Sequence, residues 1–372
     1  MINQQRLVDT FLELVHLNSP SLHEKAAMDA VQARLERLGF TVQRDDAGEK
    51  MGGDTGNIIA RRAGTTGAPP VFFNAHIDTV QPTAGIVVVQ EDGIIKTDGT
   101  TILGADDKAG VACILEALES AAEDNAPSAP TEVIITICEE IGLHGSRLLD
   151  PARVTARSGW VVDSGQPLSA IITRAPSQDQ IHATIHGKAA HAGARPEEGI
   201  NAITVAATAI AAMPQGRLDT ETTANVGVIT GGQATNIVPP LCHFDAEARS
   251  HSTEKLAAQT AAMVKAVEDA AAKFGARAEI NVERIFNAFQ LPEDSHEVKV
   301  AAAAMRTLGL EPEIHSTGGG MDANYFHEKG MKCTVIGCGY GDIHTVDEYI
   351  PVADFVIGAR VVEAIMREAT KG

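Results

Sequence analysis

The spacing of apolar residues predicts that helices and strands alternate through the first part of the chain. Some segments repeat apolar side chains at helical intervals, whereas others are short β-branched runs such as Ile134 to Ile137. The predicted helices are 4–17, 22–38 and 107–121, and the predicted strands are 40–44, 57–61, 70–75, 133–137 and 159–162. Continuous apolar strands are typical of parallel sheets that are covered on both sides. The pattern therefore predicts an α/β fold with a mixed, largely parallel sheet and helices on both faces.

The pattern changes at about residue 178. The predicted elements from there are strand 181–186, helix 199–212, strands 225–230 and 237–248, helix 254–274 and strand 278–286. This order is the split βαβ arrangement of a small, ferredoxin-like α+β domain. Alternation of helices and strands returns after Asn287. We therefore expect residues 178–286 to form a domain that is inserted into a first domain made of 1–177 and 287–372.

Length and charge narrow the class of protein. A chain of 372 residues exceeds the usual size of one hydrophobic core, which agrees with two domains. The formal net charge of -19 argues against nucleic acid or an anionic membrane as a partner. The five cysteines lack regular spacing, which indicates free thiols in a reducing compartment. Since we find neither a signal-peptide pattern nor an apolar stretch of roughly 20 residues, we expect a cytoplasmic protein.

Acidic and histidine side chains follow several of the predicted strands. Glu139 and Glu140 end the apolar run, and Gly142 permits the turn that two adjacent glutamates need to face one site. Ligands in open α/β sheets bind beyond the carboxyl ends of the strands, which is where this pair lies. The other candidates are strand-end, helix-start or loop residues: His76, Asp78, Asp106, Asp107, Asp163 and His344.

Each of these motifs alone has an ordinary structural interpretation. Asp106, for example, is at the position of a helix cap, and His344 lies in a loop. The combined set changes the interpretation, because mixed imidazole and carboxylate ligands suit zinc, with cobalt or manganese as substitutes. Two metal ions that share one carboxylate need about five ligands. The residues that supply them are His76, Asp106, Glu140, Asp163 and His344.

In this order and spacing, the motifs resemble the zinc-dependent aminoacylase, carboxypeptidase and tripeptidase metallopeptidases, and within them the branch that includes peptidase T. The resemblance implies a zinc exopeptidase-like catalytic domain and an inserted lid or dimerisation domain. It makes Asp106 the bridging ligand of two zinc ions. It assigns His76 and Asp163 to one ion, and Glu140 and His344 to the other. It also implies a cis peptide bond between Asp106 and Asp107.

The resemblance further assigns roles in catalysis. Glu139 becomes the general base, and Asp78 orients His76. Two zinc ions would lower the pKa of a water that bridges them, and Glu139 would accept its proton as a peptide carbonyl is attacked. His191 is the expected donor to the developing oxyanion, across the dimer interface in dimeric members of the family. The expected contacts to a short peptide substrate are Asn236, Arg249, Gly319 and Gly320.

Several functions remain open at this stage. An aminopeptidase for short peptides, similar to a tripeptidase, is the first interpretation, and Asp163 resembles aminopeptidase members of the wider clan. An N-acyl amino acid amidohydrolase or a small carboxypeptidase is the alternative within the family. A metal-binding relative without turnover is disfavoured, because it has no need for a base at Glu139. A cysteine hydrolase is also disfavoured, because Cys138 continues an apolar strand and is expected in the core.

Overall fold

The computed structural model describes residues 1–371. Contacts divide the chain into two compact units. The first unit comprises Met1–Thr173, Gln290–Ser316 and the chain from Met321 onward, and the second comprises Arg174–Phe289 and Thr317–Gly320. The second unit therefore includes a short glycine-rich segment, 317–320, that lies outside the insertion 178–286 expected from the sequence.

The helices and strands are numbered in chain order. The helices are α1 (Gln4–His16), α2 (Lys25–Arg37), α3 (Ala47–Met51), α4 (Ala105–Glu123), α5 (His144–Leu148), α6 (Ala202–Ala212), α7 (Thr253–Phe274), α8 (His296–Thr307), α9 (Asp322–Glu328) and α10 (Val352–Glu368). The strands of the amino-terminal part are β1 (Thr41–Arg44), β2 (Ile58–Arg62), β3 (Val71–His76), β4 (Val88–Glu91), β5 (Ile94–Thr97), β6 (Thr131–Thr136), β7 (Ser158–Val161) and β8 (Ala170–Ala175). The remaining strands are β9 (Ser177–His186), β10 (Gly216–Arg217), β11 (Thr222–Gly231), β12 (Leu241–Ser250), β13 (Arg277–Phe286), β14 (Phe289–Gln290), β15 (Glu313–Ser316), β16 (Lys332–Ile336) and β17 (Tyr349–Pro351).

The first unit is built on a nine-stranded mixed sheet. Its strand order is β1-β2-β6-β3-β7-β16-β8-β14, and β15 pairs with β8. The central neighbours β6, β3, β7 and β16 run parallel, whereas β1, β2 and β8 pair antiparallel. Every residue of β3 and β6 is buried, so helices cover both faces of the sheet. The predicted fold class is confirmed.

The second unit contains a five-stranded antiparallel sheet in the order β10-β11-β12-β9-β13. Helices α6 and α7 pack against one face, where alternate residues of β9 such as Ile181, Ala183 and Ile185 are buried. The long strands and helices follow one another as β-α-β-β-α-β, as the sequence pattern predicted. The strand predicted from residue 237 begins only at Leu241, because Pro239 and Pro240 have no N–H to donate to a ladder.

Several polar residues of the first unit lie at the carboxyl ends of its parallel strands. Strand β3 ends at His76, Glu139 and Glu140 follow β6, and Asp163 follows β7. Because these strands are parallel neighbours, their carboxyl ends meet at the same edge of the sheet. Asp106 lies at the start of α4, which packs against β3. The sheet thereby brings residues that are distant in sequence to one place.

Candidate metal and catalytic site

The two oxygens of the Asp106 carboxylate face different histidines. Oδ1 lies 3.2 Å from His76 Nε2, and Oδ2 lies 3.4 Å from His344 Nε2. His76 Nε2 is also 3.8 Å from Asp163 Oδ1, and His344 Nε2 is 3.0 Å from Glu140 Oε2. The five expected ligands therefore form two neighbouring groups that share Asp106. The Asp106–Asp107 peptide bond is cis, which confirms the sequence-based expectation.

The donors at this position fit metal ions. Ligand atoms of His76, Asp106 and Glu140 lie close enough together to hold one ion, as do those of His76, Asp107 and Asp163. Within the described residues, Glu140 Oε1 is buried without a hydrogen-bond partner. An unpaired buried carboxylate oxygen is unfavourable unless a cation compensates it. The carboxylates outnumber the imidazoles here, so a divalent cation would also balance the charge.

Asp107 belongs to one of these groups, but both of its carboxylate oxygens accept hydrogen bonds from the backbone. Its Oδ2 accepts the backbone N–H of His76 at 3.2 Å, and its Oδ1 accepts that of Gly110 at 3.2 Å. Its side chain therefore fixes the end of β3 relative to α4. The other side chains near this position are His76, Asp163 and Asp106, which faces it with Oδ1.

Glu139 and Glu140 converge because the chain turns sharply after β6. Cys138 has a φ of 51°, in the left-handed region, and Gly142 has a φ of 120°. Asp78 then holds both glutamates by their backbones. Its Oδ1 accepts the N–H of Glu139 at 2.9 Å, and its Oδ2 accepts the N–H of Glu140 at 3.2 Å. The turn thus starts at Cys138, earlier than the glycine that the sequence indicated.

Asp78 also contacts His76, mainly through its backbone. His76 Nδ1 lies 3.0 Å from the Asp78 carbonyl oxygen and 3.5 Å from its Oδ1. A carbonyl acceptor at Nδ1 fixes the tautomer with a free Nε2, which is the form that ligates a metal. Asp78 therefore orients His76 largely by its carbonyl group, while its carboxylate positions the two glutamates.

Burial and hydrogen bonds with the two histidines together set the pKa values of the site. Burial raises the pKa of Glu139 well above the usual range; His76 opposes this, and the nearby carboxylates Asp163 and Glu140 add to it. Burial likewise raises the pKa of Asp163. Burial disfavours the charged form of Asp106, but hydrogen bonds with His344 and His76 outweigh it and lower that pKa. Hydrogen bonds with Asp106 and Glu140 raise the pKa of His344 to about 10. The site thus holds a carboxyl group at Glu139 that binds a proton readily.

Two residues that the sequence did not single out contact the proposed ligands. The single proton of the buried Tyr340 hydroxyl is shared between two carboxylate acceptors, Asp106 Oδ1 at 3.3 Å and Asp163 Oδ1 at 3.2 Å from the hydroxyl oxygen. The buried Glu348 carboxylate accepts the backbone N–H groups of Gly104 at 2.7 Å and of Asp106 at 2.9 Å. Glu348 lies in the segment that carries His344, which was the available signal. Tyr340 immediately precedes the same segment, but nothing in the sequence indicated a role for its hydroxyl group.

The remaining expected residues lie in the second unit. His191 is exposed, and its Nδ1 accepts the backbone N–H groups of Gly193 at 3.2 Å and of Ala194 at 3.1 Å. Two donors at Nδ1 leave the ring proton on Nε2, which is then available for donation. Asn236 is next to this loop, because its carbonyl oxygen accepts the N–H of Ala192 at 3.0 Å.

Arg249 and the two glycines have internal partners. Arg249 donates from Nε and Nη2 to the two carboxylate oxygens of Glu247, each at 3.0 Å, and from Nη1 to the Gly318 carbonyl at 3.4 Å. Gly319 donates its N–H to Thr317 Oγ1 at 3.1 Å. A side chain at Gly320 would collide with the Phe286 ring, since an added Cβ lies only 2.2 Å from it. Of these three residues, Arg249 has its guanidinium group already paired, with Glu247 and the Gly318 carbonyl.

Comparison with known proteins identifies the family. The sequence profile of peptidase family M20/M25/M40 matches residues 72–368. The chain belongs to this family. The sequence is 43% identical over 371 residues to the uncharacterized protein YqjE of Bacillus subtilis, and the match covers 100% of both chains. This M20 peptidase is a metal-dependent hydrolase of peptide bonds, and its sequence similarity to peptidase T proteins confirms the resemblance to that branch.

Solved structures support the same family assignment. The aminopeptidase PepT of Bacillus cereus superposes with a TM-score of 0.89 at 42% identity, and the match covers 99% of both chains. A tripeptidase of Staphylococcus aureus superposes with a TM-score of 0.95 at 36% identity over 100% of both chains. Cys138 is buried, its S–H donates a hydrogen bond to Glu24 Oε1, and burial raises the pKa of the thiol. Among the described residues, no helix is long and apolar enough to span a bilayer.

Proposed function

We propose that this M20 peptidase is a dizinc exopeptidase that removes the amino-terminal residue from short peptides, tripeptides in particular. The observation that carries the proposal is the divided environment of Asp106, whose two oxygens face His76 and His344 separately. A carboxylate placed in this way suits a bridge between two metal ions. Similarity to an aminopeptidase and to a tripeptidase supports the substrate class.

The proposed ligand sets follow the two groups of side chains. His76 and Asp163 would hold one ion, Glu140 and His344 the other, and Asp106 both. Zinc suits this mixture of imidazole and carboxylate, and cobalt or manganese would substitute. When bound, the two ions supply Lewis acidity, which activates a water molecule and polarises the scissile carbonyl.

Glu139 moves the proton in this proposal. It directly precedes Glu140, and burial raises its pKa, so it accepts a proton from the attacking water and returns it to the leaving amine. The backbone contact with Asp78 holds Glu139 in place during both transfers. A carboxyl group with an ordinary surface pKa would accept that proton less readily at neutral pH.

His191 donates to the developing oxyanion. Its tautomer supports this role, because Nδ1 accepts two backbone N–H groups and Nε2 therefore carries the ring proton. Asn236, Gly319 and Gly320 remain proposed contacts to the peptide backbone of the substrate. Arg249 remains a proposed contact to a substrate carboxylate, although this contact requires it to leave Glu247.

We also propose a homodimer formed through the second unit. Strand β10 pairs with β11 only at Thr223 and Ala224, so within the described chain the rest of that edge of β11 has no neighbouring strand. Val228 and Ile229 on β11 are 51% and 49% exposed. An apolar strand edge is suited to pairing with a second copy.

We propose that the protein works in the cytoplasm. Its five cysteines are free, which supports a reducing compartment.

A matched substrate panel tests the function. It contains free tripeptides, the same peptides N-acetylated or C-amidated, and N-acyl amino acids, each with added zinc and with chelator. The proposal predicts chelator-sensitive release of the amino-terminal residue that is lost on N-acetylation. Cleavage of N-acyl amino acids alone would instead identify a deacylase.

A further inference from the structure

Four successive backbone N–H groups that leave β6 are bound by side chains from other segments. Ile137 donates to Asn57 Oδ1 at 3.1 Å, and Cys138 donates to Glu24 Oε1 at 3.1 Å. The next two, Glu139 and Glu140, donate to the Asp78 carboxylate. Since this segment has left the strand ladder, its geometry depends on these acceptors.

The segment from Ser19 to Glu24 supports two of the acceptors. Ser21 Oγ donates to Asp78 Oδ2 at 2.7 Å, and Glu24 contacts Cys138 directly. The segment is fixed to the end of β3, because Ser19 Oγ donates to the Ile77 carbonyl at 2.8 Å and Thr79 donates to the Ser19 carbonyl at 3.1 Å. Ser21 and Glu24 therefore reach the glutamate turn from one short, anchored piece of chain.

The position of Glu24 lowers the stability of the fold, so a purely structural role does not explain this residue. It is fully buried, its Oε2 has no hydrogen-bond partner among the described residues, and it lies near the Asp78 carboxylate. A buried carboxyl group with an unpaired oxygen destabilises a fold. Its Oε1 accepts hydrogen bonds from Cys138. The left-handed backbone of Cys138 changes the direction of the chain immediately before Glu139.

We infer that Glu24 and Ser21 are positioning residues for the glutamate pair, Glu24 through Cys138 and Ser21 through Asp78. The inference rests on the proposed roles of Glu139 as base and Glu140 as ligand. Loss of the Glu24 acceptor releases the Cys138 N–H, so the turn relaxes and both carboxylates shift. A displacement of about 1 Å in a reacting group is enough to lower turnover about a hundredfold.

The test compares Glu24→Ala, Glu24→Gln and Ser21→Ala with the wild type. The measurements are kcat and KM on a tripeptide, metal affinity, and hydrogen–deuterium exchange of the peptide that contains Cys138, Glu139 and Glu140. For Glu24→Ala we expect kcat to fall about tenfold or more with KM within about threefold. Exchange at the turn becomes faster. Glu24→Gln restores most of the kcat, because its amide oxygen still accepts the Cys138 N–H. Ser21→Ala causes a smaller change in the same direction.

Glu116 provides a matched control. It is a buried carboxylate of α4 that accepts the Asn3 N–H at 2.6 Å and pairs with Arg6, away from the turn. Glu116→Ala should lower the melting temperature without changing kcat or exchange at Cys138 to Glu140. If Glu24→Ala behaves like Glu116→Ala, the inference is overturned. If the wild type cleaves no peptide, the proposed function fails, and exchange at the turn in the three variants still decides the positioning role.

Discussion

The Glu139 backbone N–H donates to Asp78 Oδ1 at 2.9 Å, which joins the segment that follows β6 to the segment that follows β3. The same carboxylate accepts the N–H of Glu140, while the Asp78 carbonyl lies against the His76 ring. One aspartate therefore sets the positions of a proposed base and of two proposed ligands. We therefore expect its effect on catalysis to extend beyond the orientation of a histidine.

Replacement of Asp78 by Asn separates these functions. Asn keeps one acceptor oxygen and its backbone carbonyl, so His76 stays oriented, but the amide nitrogen cannot accept the Glu140 N–H. We expect kcat to fall by about 10- to 100-fold with metal content close to that of the wild type. Steady-state kinetics and metal analysis on the same preparation check this. A loss of activity that is fully restored by excess zinc would assign Asp78 to metal retention alone.

Tyr340 should tune metal affinity. Tyr340→Phe removes the hydroxyl whose proton Asp106 and Asp163 share, so both carboxylates lose an orienting contact. We expect metal affinity to weaken by about 10- to 100-fold, as measured by competition with a chromophoric chelator. Tyr325→Phe, at another buried tyrosine, serves as the control. Equal affinity in Tyr340→Phe and the wild type would contradict the assigned contact.

His191 should affect turnover and leave the metals in place. His191→Ala removes the proposed oxyanion donor, and a donor of this kind contributes about 10²- to 10³-fold to kcat. The comparison variant is His186→Ala, at a histidine of the same unit whose Nε2 lies 3.3 Å from Glu279 Oε2. Measurements of kcat, KM and zinc content distinguish the two variants. Unchanged kcat in His191→Ala would exclude the donor role.

Glu24 predicts a specific dependence of stability on pH. Burial and the neighbouring Asp78 raise the pKa of Glu24 from 4.5 to about 7, and the hydrogen bond from Cys138 opposes this. Between these values the folded protein binds a proton that the unfolded chain has lost. The stabilisation from that proton is complete below about 4.5 and is lost as pH rises through about 7.

The wild type and Glu24→Gln isolate this contribution. In chelator, their difference in unfolding free energy, wild type minus variant, should decrease as pH rises from 4.5 to above 7. Urea unfolding across that range measures it. Asp78 and Cys138 are present in both proteins, so their own titration is largely removed by the comparison. A difference that is constant with pH would contradict the raised pKa of Glu24.

The sequence predicted the site best where parallel strands end. Three of the proposed ligands, His76, Glu140 and Asp163, follow neighbouring strands, and sheet topology alone brings such residues together. His344 was singled out only as a loop histidine that completes the mixed set of imidazole and carboxylate groups, and the resemblance then assigned it to one ion, since a loop histidine carries no periodic signal. Tyr340 and Glu24 were missed because their contacts, to Asp106 and Cys138, join residues that are far apart in sequence.

The pairing of Arg249 with Glu247 was open to prediction. The two residues are two apart on β12, where alternate side chains share a face, so opposite charges there are expected to meet. The turn at Cys138 was less accessible, because nothing in a β-branched run indicates a left-handed residue at its end. There the structure depends on acceptors that the local sequence does not contain.

The most direct test of the proposed function is the Glu139→Gln variant, assayed for tripeptide hydrolysis and for bound zinc in the same sample. Glu132→Gln is the matched control, since Glu132 is a buried glutamate on β6 that binds the Thr155 and Ala156 N–H groups. We expect hydrolysis by Glu139→Gln to fall by about 10²- to 10⁴-fold while zinc content stays near that of the wild type. Hydrolysis at the wild-type rate with zinc retained would contradict the assignment of Glu139 as the base.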